Sequence, residues 1–208
     1  MLRNFLLVIA LLLPFHLFAE DFVAGKDYEV LKGEHSATIQ PPVKVTEFFS
    51  YGCPWCYRIE SGLQGWVKQQ NGQISFTRVP VVFNNDWSYY AKAYYTAALL
   101  GLDNKLNPLL FKAVQDKQAH LNNTDAMITF FTEHGVDNAT AQSAFKNSTT
   151  IDMQLNQGGV LMARFHVNAV PAIVVNDQYK TDLQMAQDEQ RLFKILDYLV
   201  RLSRQKHG

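Results

Sequence analysis

Glu47-Phe48-Phe49-Ser50-Tyr51-Gly52-Cys53-Pro54-Trp55-Cys56-Tyr57 holds both cysteines of the chain, two residues apart. An apolar, alternating run from Val43 to Ser50 leads into them. Ile59, Leu63, Trp66 and Val67 follow at i, i+4, i+7 and i+8, offsets that fall on one face of an α-helix. The pair therefore sits at a strand-to-helix turn, with Pro54 in the first helical turn, where an absent N–H leaves no bond unmade. Cys53 then lies where unpaired backbone N–H groups and the positive end of the helix dipole point. That setting favours thiolate over thiol and makes a reactive sulfur.

Two lone cysteines can also be a structural disulfide, half of a metal site or inert core. A structural zinc site needs four ligands; there is no second cysteine pair, and His35, His120, His134, His166 and His207 are scattered. A Cys-x-x-Cys loop is short for a structural staple, because the entropic gain from cross-linking grows with loop length. The spacing and context favour a redox pair over these alternatives.

Residues 1–19 read as a secretory signal peptide. Arg3 supplies the positive start, Phe5 to Leu13 is an unbroken apolar run, and Pro14 to Ala19 prepares a cut after Ala19. Leu17, three residues before that cut, is larger than the small residue preferred there, so the site is placed only to within a few positions. The alternative is an uncleaved anchor, but the apolar run falls short of the roughly 20 residues of a spanning helix, and His16 shortens it further. A cut after Ala19 leaves 189 residues with 18 basic and 19 acidic side chains, a net charge of −1. Nothing in that balance marks a nucleic-acid or anionic-membrane surface. An exported protein meets an oxidising compartment, where a single cysteine pair suits a catalyst of disulfide chemistry better than a stapled scaffold.

Along the chain, Tyr28 to Leu31 is a short possible strand, and Pro41-Pro42 ends the polar stretch after it. Val43 to Phe49 is the first firm strand, rich in β-branched and aromatic residues. After the first helix, Asn71-Gly72 marks a turn into a strand from Ile74 to Val79, making a right-handed βαβ unit. From Trp87 to about Phe165 the pattern is helix after helix. The stripes are Ala91, Tyr94, Tyr95, Ala98 and Leu102; Leu106, Leu109, Leu110, Ala113 and Val114; Met127, Phe130 and Phe131, closed by Gly135; Ala141, Ala144 and Phe145; and Ile151, Leu155, Met162 and Phe165. Gly158-Gly159 is expected to weaken or bend the last of these. Ala172 to Val175 returns to strand, Asn176-Asp177 turns a hairpin into Gln178 to Lys180, and Leu192, Ile195, Leu196 and Leu199 carry a final amphipathic helix. The expected fold class is α/β, with residues 20–86 and 166–208 forming one domain and residues 87–165 a helical insertion.

This order, strand, Cys-Pro-x-Cys helix, strand, helical block, hairpin and helix, resembles the thioredoxin fold. Together with Glu47 to Tyr57 and Val170-Pro171-Ala172, it resembles the DsbA family of exported thiol:disulfide oxidoreductases over essentially the whole chain from Tyr28. The resemblance implies an enzyme of the periplasm of a Gram-negative bacterium that donates its disulfide to newly exported polypeptides with free thiols. A quinone-linked membrane protein would then reoxidise it. It implies Cys53 as the exposed nucleophile, Cys56 as its buried partner and Pro171 as a cis-proline beside the disulfide, where the residues alone suggest a trans bond and an ordinary strand-starting proline. Glu47 matches a buried acid that exchanges a proton with Cys56; the plainer reading is a charged residue on a solvated strand face. Pro54, Trp55, Tyr57 and Val170 would offer client chains an apolar surface. The disulfide itself is the redox group, and no metal, nucleotide or flavin is required. Two rivals remain: a reductase or isomerase, although such isomerases usually carry a separate dimerisation domain, and a chaperone with a structural cysteine pair.

One departure has a consequence. Between the cysteines stand Pro54-Trp55, where the best-known members have Pro-His, and an indole brings no charge to the thiolate. The helix N-terminus and its N–H groups remain, so Cys53 is expected to be acidified, though less than in relatives with histidine, and its disulfide to be a somewhat weaker oxidant. Titration of the reduced protein by thiolate absorbance should therefore give a first midpoint below the ordinary cysteine value; a midpoint at that value contradicts the reading.

Overall fold

The computed structural model describes residues 22–32, 42–116 and 120–205, so the signal segment expected over residues 1–19 lies outside the described residues. Among the described residues five strands, β1 (Glu29–Val30), β2 (Val43–Phe49), β3 (Ile74–Pro80), β4 (Ala172–Val175) and β5 (Tyr179–Asp182), form one sheet in the order β1-β5-β4-β2-β3. The helices are α1 (Pro54–Gln69), α2 (Asn85–Leu99), α3 (Asp103–Gln115), α4 (Thr124–Glu133), α5 (Asn138–Asn147), α6 (Thr149–Arg164), α7 (Leu183–Ala186) and α8 (Glu189–Gln205). β2 and β3 run parallel across the α1 crossover, and β4 pairs antiparallel with both β2 and β5. This is a thioredoxin fold interrupted between β3 and β4 by α2 to α6.

Period-two alternation decides which side chains meet. Val43 and Val45 of β2, with Ile173 and Val175 of β4, pack under α1 and α8. Phe48, Ala172 and Val174 point the other way, onto Phe165, Leu161 and Met162 around the end of α6. Glu47 therefore shares the face of Val43 and Val45, beneath α1. α8 buries Leu192, Ile195, Leu196, Leu199 and Val200, the i, i+3, i+4, i+7 and i+8 set that one helix face requires. The helical block has its own core, built on Leu106, Leu110, Phe111, Met127 and Phe131, and Phe49, Tyr51, Cys53 and Cys56 join that core. The cysteine turn thus lies where the sheet domain meets the helical block.

Turn chemistry follows the sequence. Asn71 and Gly72 (φ +47° and +76°) and Asn176 and Asp177 (φ +56° and +54°) adopt left-handed backbone, which Asn, Asp and Gly tolerate best. Gly135 ends α4 at φ +99°. Several details differ from expectation. α2 starts at Asn85, before Trp87, because the Asn84 side chain caps it by accepting from the Trp87 N–H. Ala98 is exposed while Ala97 is buried, so the α2 stripe is rotated by one residue. α6 runs without interruption through Gly158-Gly159. There a Cβ on Gly158 would come within 3.2 Å of the Tyr95 hydroxyl and 3.4 Å of Val79 Cγ1, so the glycine serves close packing rather than a break. α7 is a single turn too short to show periodicity.

Candidate active site

β2 ends at Phe49 and the chain turns through Ser50, Tyr51 and Gly52, with the Cys53 N–H on the Ser50 carbonyl at 3.0 Å. Cys53 is the N-cap of α1, in extended backbone (φ −93°, ψ 111°). An N-cap side chain normally offers an oxygen to the free N–H groups of the first turn; here the Cys53 Sγ accepts from the Cys56 N–H at 3.1 Å. Both cysteines are free thiols. The Val170–Pro171 bond is cis, and the Val170 carbonyl lies over the turn, accepting from the Cys53 thiol at 3.4 Å. Cys53 is consequently only 4% exposed rather than the open nucleophile expected, and Cys56 is fully buried.

The two sulfurs differ in acidity. The hydrogen bond from the Cys56 side chain lowers the Cys53 pKa most. Burial opposes this, the backbone N–H groups of Cys56 and Trp55 add to it, and the charge of Glu47 works against it. The outcome is a Cys53 that ionises more readily than an ordinary thiol. Cys56 is displaced the other way, well above the ordinary value, first by burial and then by its bond to Cys53 and the charges of Cys53 and Glu47. Ionisation of one sulfur suppresses that of the other.

Beneath them, Glu47 and Arg78 stand opposite each other in the parallel β2–β3 register. Glu47 is wholly buried, with Oε2 2.7 Å from Arg78 Nε. Arg78 also forks onto Glu60 of α1, Nη1 to Oε1 at 3.1 Å and Nη2 to Oε2, and its guanidinium lies 5.2 Å and 5.7 Å from the Phe49 and Phe76 ring centres. Neither Glu47 oxygen has a hydrogen bond, and Arg78 Nε meets Oε2 as an ion pair only. Burial raises the Glu47 pKa to about 7, against the pull of Arg78 and with the help of Glu60. A carboxyl half-protonated at neutral pH, with its charge felt at both sulfurs, can hold or release a proton during exchange.

Around this centre, Trp55 is 56% and Tyr57 39% exposed, and Tyr57 stacks on Phe111 at 5.8 Å. Pro54 is exposed, Val170 half-buried and Pro171 buried. Phe83, also exposed, stacks on Trp87 at 5.4 Å. The helical block braces the turn from behind: the Gln115 side chain donates to the Tyr51 carbonyl at 2.6 Å, and the Tyr51 hydroxyl donates to Asn107 at 2.5 Å. Gly52 faces Trp87, whose Nε1 would lie 2.3 Å from a Cβ there. Among the described residues no cluster of three or more His, Cys, Asp or Glu could hold a metal ion, and no helix is long and apolar enough to cross a membrane.

A family model described as thioredoxin matches residues 27–197. The thiol:disulfide interchange protein DsbA of Burkholderia cepacia is 34% identical over 179 residues, covering 86% of this chain and 84% of that one. The chain belongs to the DsbA family. The crystal structure of Pseudomonas aeruginosa DsbA superposes with a TM-score of 0.81 at 29% identity, covering 89% of this chain and 96% of that one. A Proteus mirabilis DsbA with a non-covalently bound peptide matches with a TM-score of 0.70 at 26% identity. The protein is accordingly a thiol:disulfide oxidoreductase, with Cys53 and Cys56 in the arrangement that disulfide interchange requires.

The structure brings Cys53, Cys56, Val170, Pro171 and Glu47 into one centre and leaves Pro54, Trp55 and Tyr57 on its rim. Arg78, Glu60, Gln115, Asn107 and Trp87 were not foreseen. For Arg78 a signal existed: a charged residue on the same strand face as Ile74 and Phe76 needs a buried counter-ion, and register supplies Glu47. Glu47 titrates at about 7 in the fold against an ordinary 4.5. Between those values the folded state keeps a proton that the unfolded chain has lost, so stability falls as pH rises through the window and is flat above it. Glu47→Gln removes that slope. By urea unfolding, the variant's stability relative to wild type should climb from about pH 4.5 to 7 and then level off; a difference independent of pH over that range contradicts the assignment.

Proposed function

We propose that this DsbA-family protein is an oxidant of exported polypeptides, working in the periplasm of a Gram-negative bacterium after loss of a signal peptide over residues 1–19. A client thiolate attacks the Cys53 sulfur of the Cys53–Cys56 disulfide. The S–S bond breaks, a client–Cys53 mixed disulfide forms, and Cys56 leaves as a thiolate. Its raised pKa draws a proton at once, with Glu47 as the nearby donor. A second client thiolate attacks the client sulfur of the mixed disulfide and expels Cys53 as a stable thiolate. Two electrons pass from the client thiols to the cysteine pair, and the client keeps a disulfide.

The observation that carries this reading is the asymmetry of the two sulfurs. One is held as a good leaving group by the Cys56 thiol and the N–H groups at the start of α1, and the other is buried and reluctant to stay ionised. A stable Cys53 thiolate favours the reduced enzyme, and hence favours giving the disulfide away. Trp55, Tyr57, Pro54 and Val170 form the surface on which client chains rest, and Pro171 shapes the loop that presents Val170. The disulfide is the only redox group this chemistry needs, and a quinone-linked membrane protein is the reoxidant that the family membership suggests.

Wild-type protein should restore disulfides to a reduced, unfolded ribonuclease and reduce insulin only weakly. Cys53→Ala and Cys56→Ala should each bring oxidation down to the uncatalysed background. A variant that keeps the wild-type rate points to a chaperone, and vigorous insulin reduction without net oxidation points to a reductase or isomerase; either result overturns the proposal.

A further inference from the structure

We propose that the groove beside Val170 selects client segments carrying lysine or arginine close to the reacting cysteine, a reading that rests on the oxidant function above. A cavity of about 400 Å³ opens between the first turns of α1, the Ala169–Pro171 loop and the corner where α7 meets α8. Trp55, Ile59, Val170 and Leu183 give it apolar walls, and the Val170 carbonyl is 3.4 Å from the Cys53 Sγ. The groove is thus continuous with the reacting sulfur, and a client bonded to Cys53 must lay neighbouring residues along it.

Three carboxylates, Asp182, Asp188 and Glu189, line it as well. Capping explains the first two only in part. Asp182 Oδ1 accepts from the Met185 N–H and Asp188 Oδ1 from the Arg191 N–H, each at 2.8 Å, which leaves the second oxygen of each. Glu189 has no such bond; its carboxylate lies over Gly62 of α1, where a Cβ would meet Oε1 at 2.2 Å. None of the three has an ion-pair partner among the described residues. Among the described residues, Arg58 is the one cation on the wall, held 5.2 Å above the Trp55 ring. Three carboxylates against one guanidinium give a negative groove in a chain whose charges balance overall. Apolar side chains and carboxylates sharing one groove match a long side chain with a hydrocarbon stem and a cationic head.

The test uses two-cysteine peptides identical except for Lys, Gln or Glu placed two residues before or two after the first cysteine. Their oxidation by the full protein is followed as a second-order rate. Because a neighbouring lysine also acidifies the peptide thiol, each rate is divided by that peptide's rate with glutathione disulfide. The Lys peptide should react about five-fold faster than its Gln twin and the Glu peptide more slowly, the scale of a few partly exposed charge contacts. The ratio should collapse toward one at about 0.5 M salt and in Asp182→Asn/Asp188→Asn/Glu189→Gln, where asparagine keeps both helix caps. Arg58→Gln should raise the ratio about two-fold by removing the opposing cation. Equal rates for all three peptides in wild type overturn the groove alone, as does a ratio that survives the triple variant or is unmoved by Arg58→Gln. Failure to oxidise any peptide overturns the oxidant reading, and the groove falls with it.

Discussion

One contact organises the chemistry of this protein: at the first turn of α1, Cys56 meets the Cys53 sulfur with both its thiol and its backbone N–H. The first N–H groups of any helix lack intrahelical partners, and a sulfur at the N-cap meets one of them and the positive end of the dipole together. The second sulfur lies inside the helix start, buried and without that advantage. The difference between the cysteines arises from the Cys56 thiol donating to Cys53, from the deeper burial of Cys56, and from the helix N–H groups that reach Cys53. Trp55, between the cysteines, brings no charge, so the thiol of Cys56 and the helix N–H groups carry that difference.

The rest of the fold holds this turn in place and controls what surrounds it. β2 delivers the turn, and its alternation sends Glu47 to the face under α1, where Arg78 from the next strand and Glu60 from α1 itself close a buried charge cluster. Removing one member of such a cluster leaves an uncompensated buried charge, which is far costlier than the cluster is stabilising. The cluster therefore makes strand register and helix placement mutually dependent. On the other side, Gln115 and Asn107 hold Tyr51, so the helical block shapes the backbone immediately before the sulfur. The Val170 loop covers it from above.

Much of this was legible in the sequence because it is local. The strand-to-helix turn follows from a change of period between Val43–Ser50 and Ile59–Val67, and the hairpin from Asn176-Asp177. The family motifs added the cis bond before Pro171 and the burial of Glu47, which alternation alone leaves open. The charge cluster was not legible as a whole, since pairing Glu47 with Arg78 requires knowing the parallel register across a sixteen-residue helix. The Tyr51 contacts span sequence separations of 56 and 64 residues, which no local pattern reports. Gly158 misled for a related reason: its role is to admit Tyr95 and Val79 from other elements, and within its own helix it reads only as a weakness. The low exposure of Cys53 belongs to the same class, being set by a loop more than a hundred residues away.

The measurement that bears most directly on the held thiolate is the equilibrium of the Cys53–Cys56 disulfide with reduced and oxidised glutathione. A thiolate stabilised by the start of α1 should make the reduced protein favourable and place the potential well above the about −270 mV of thioredoxin. A potential at or below that value would mean that the helix terminus does not stabilise the Cys53 thiolate enough for the protein to act as an oxidant.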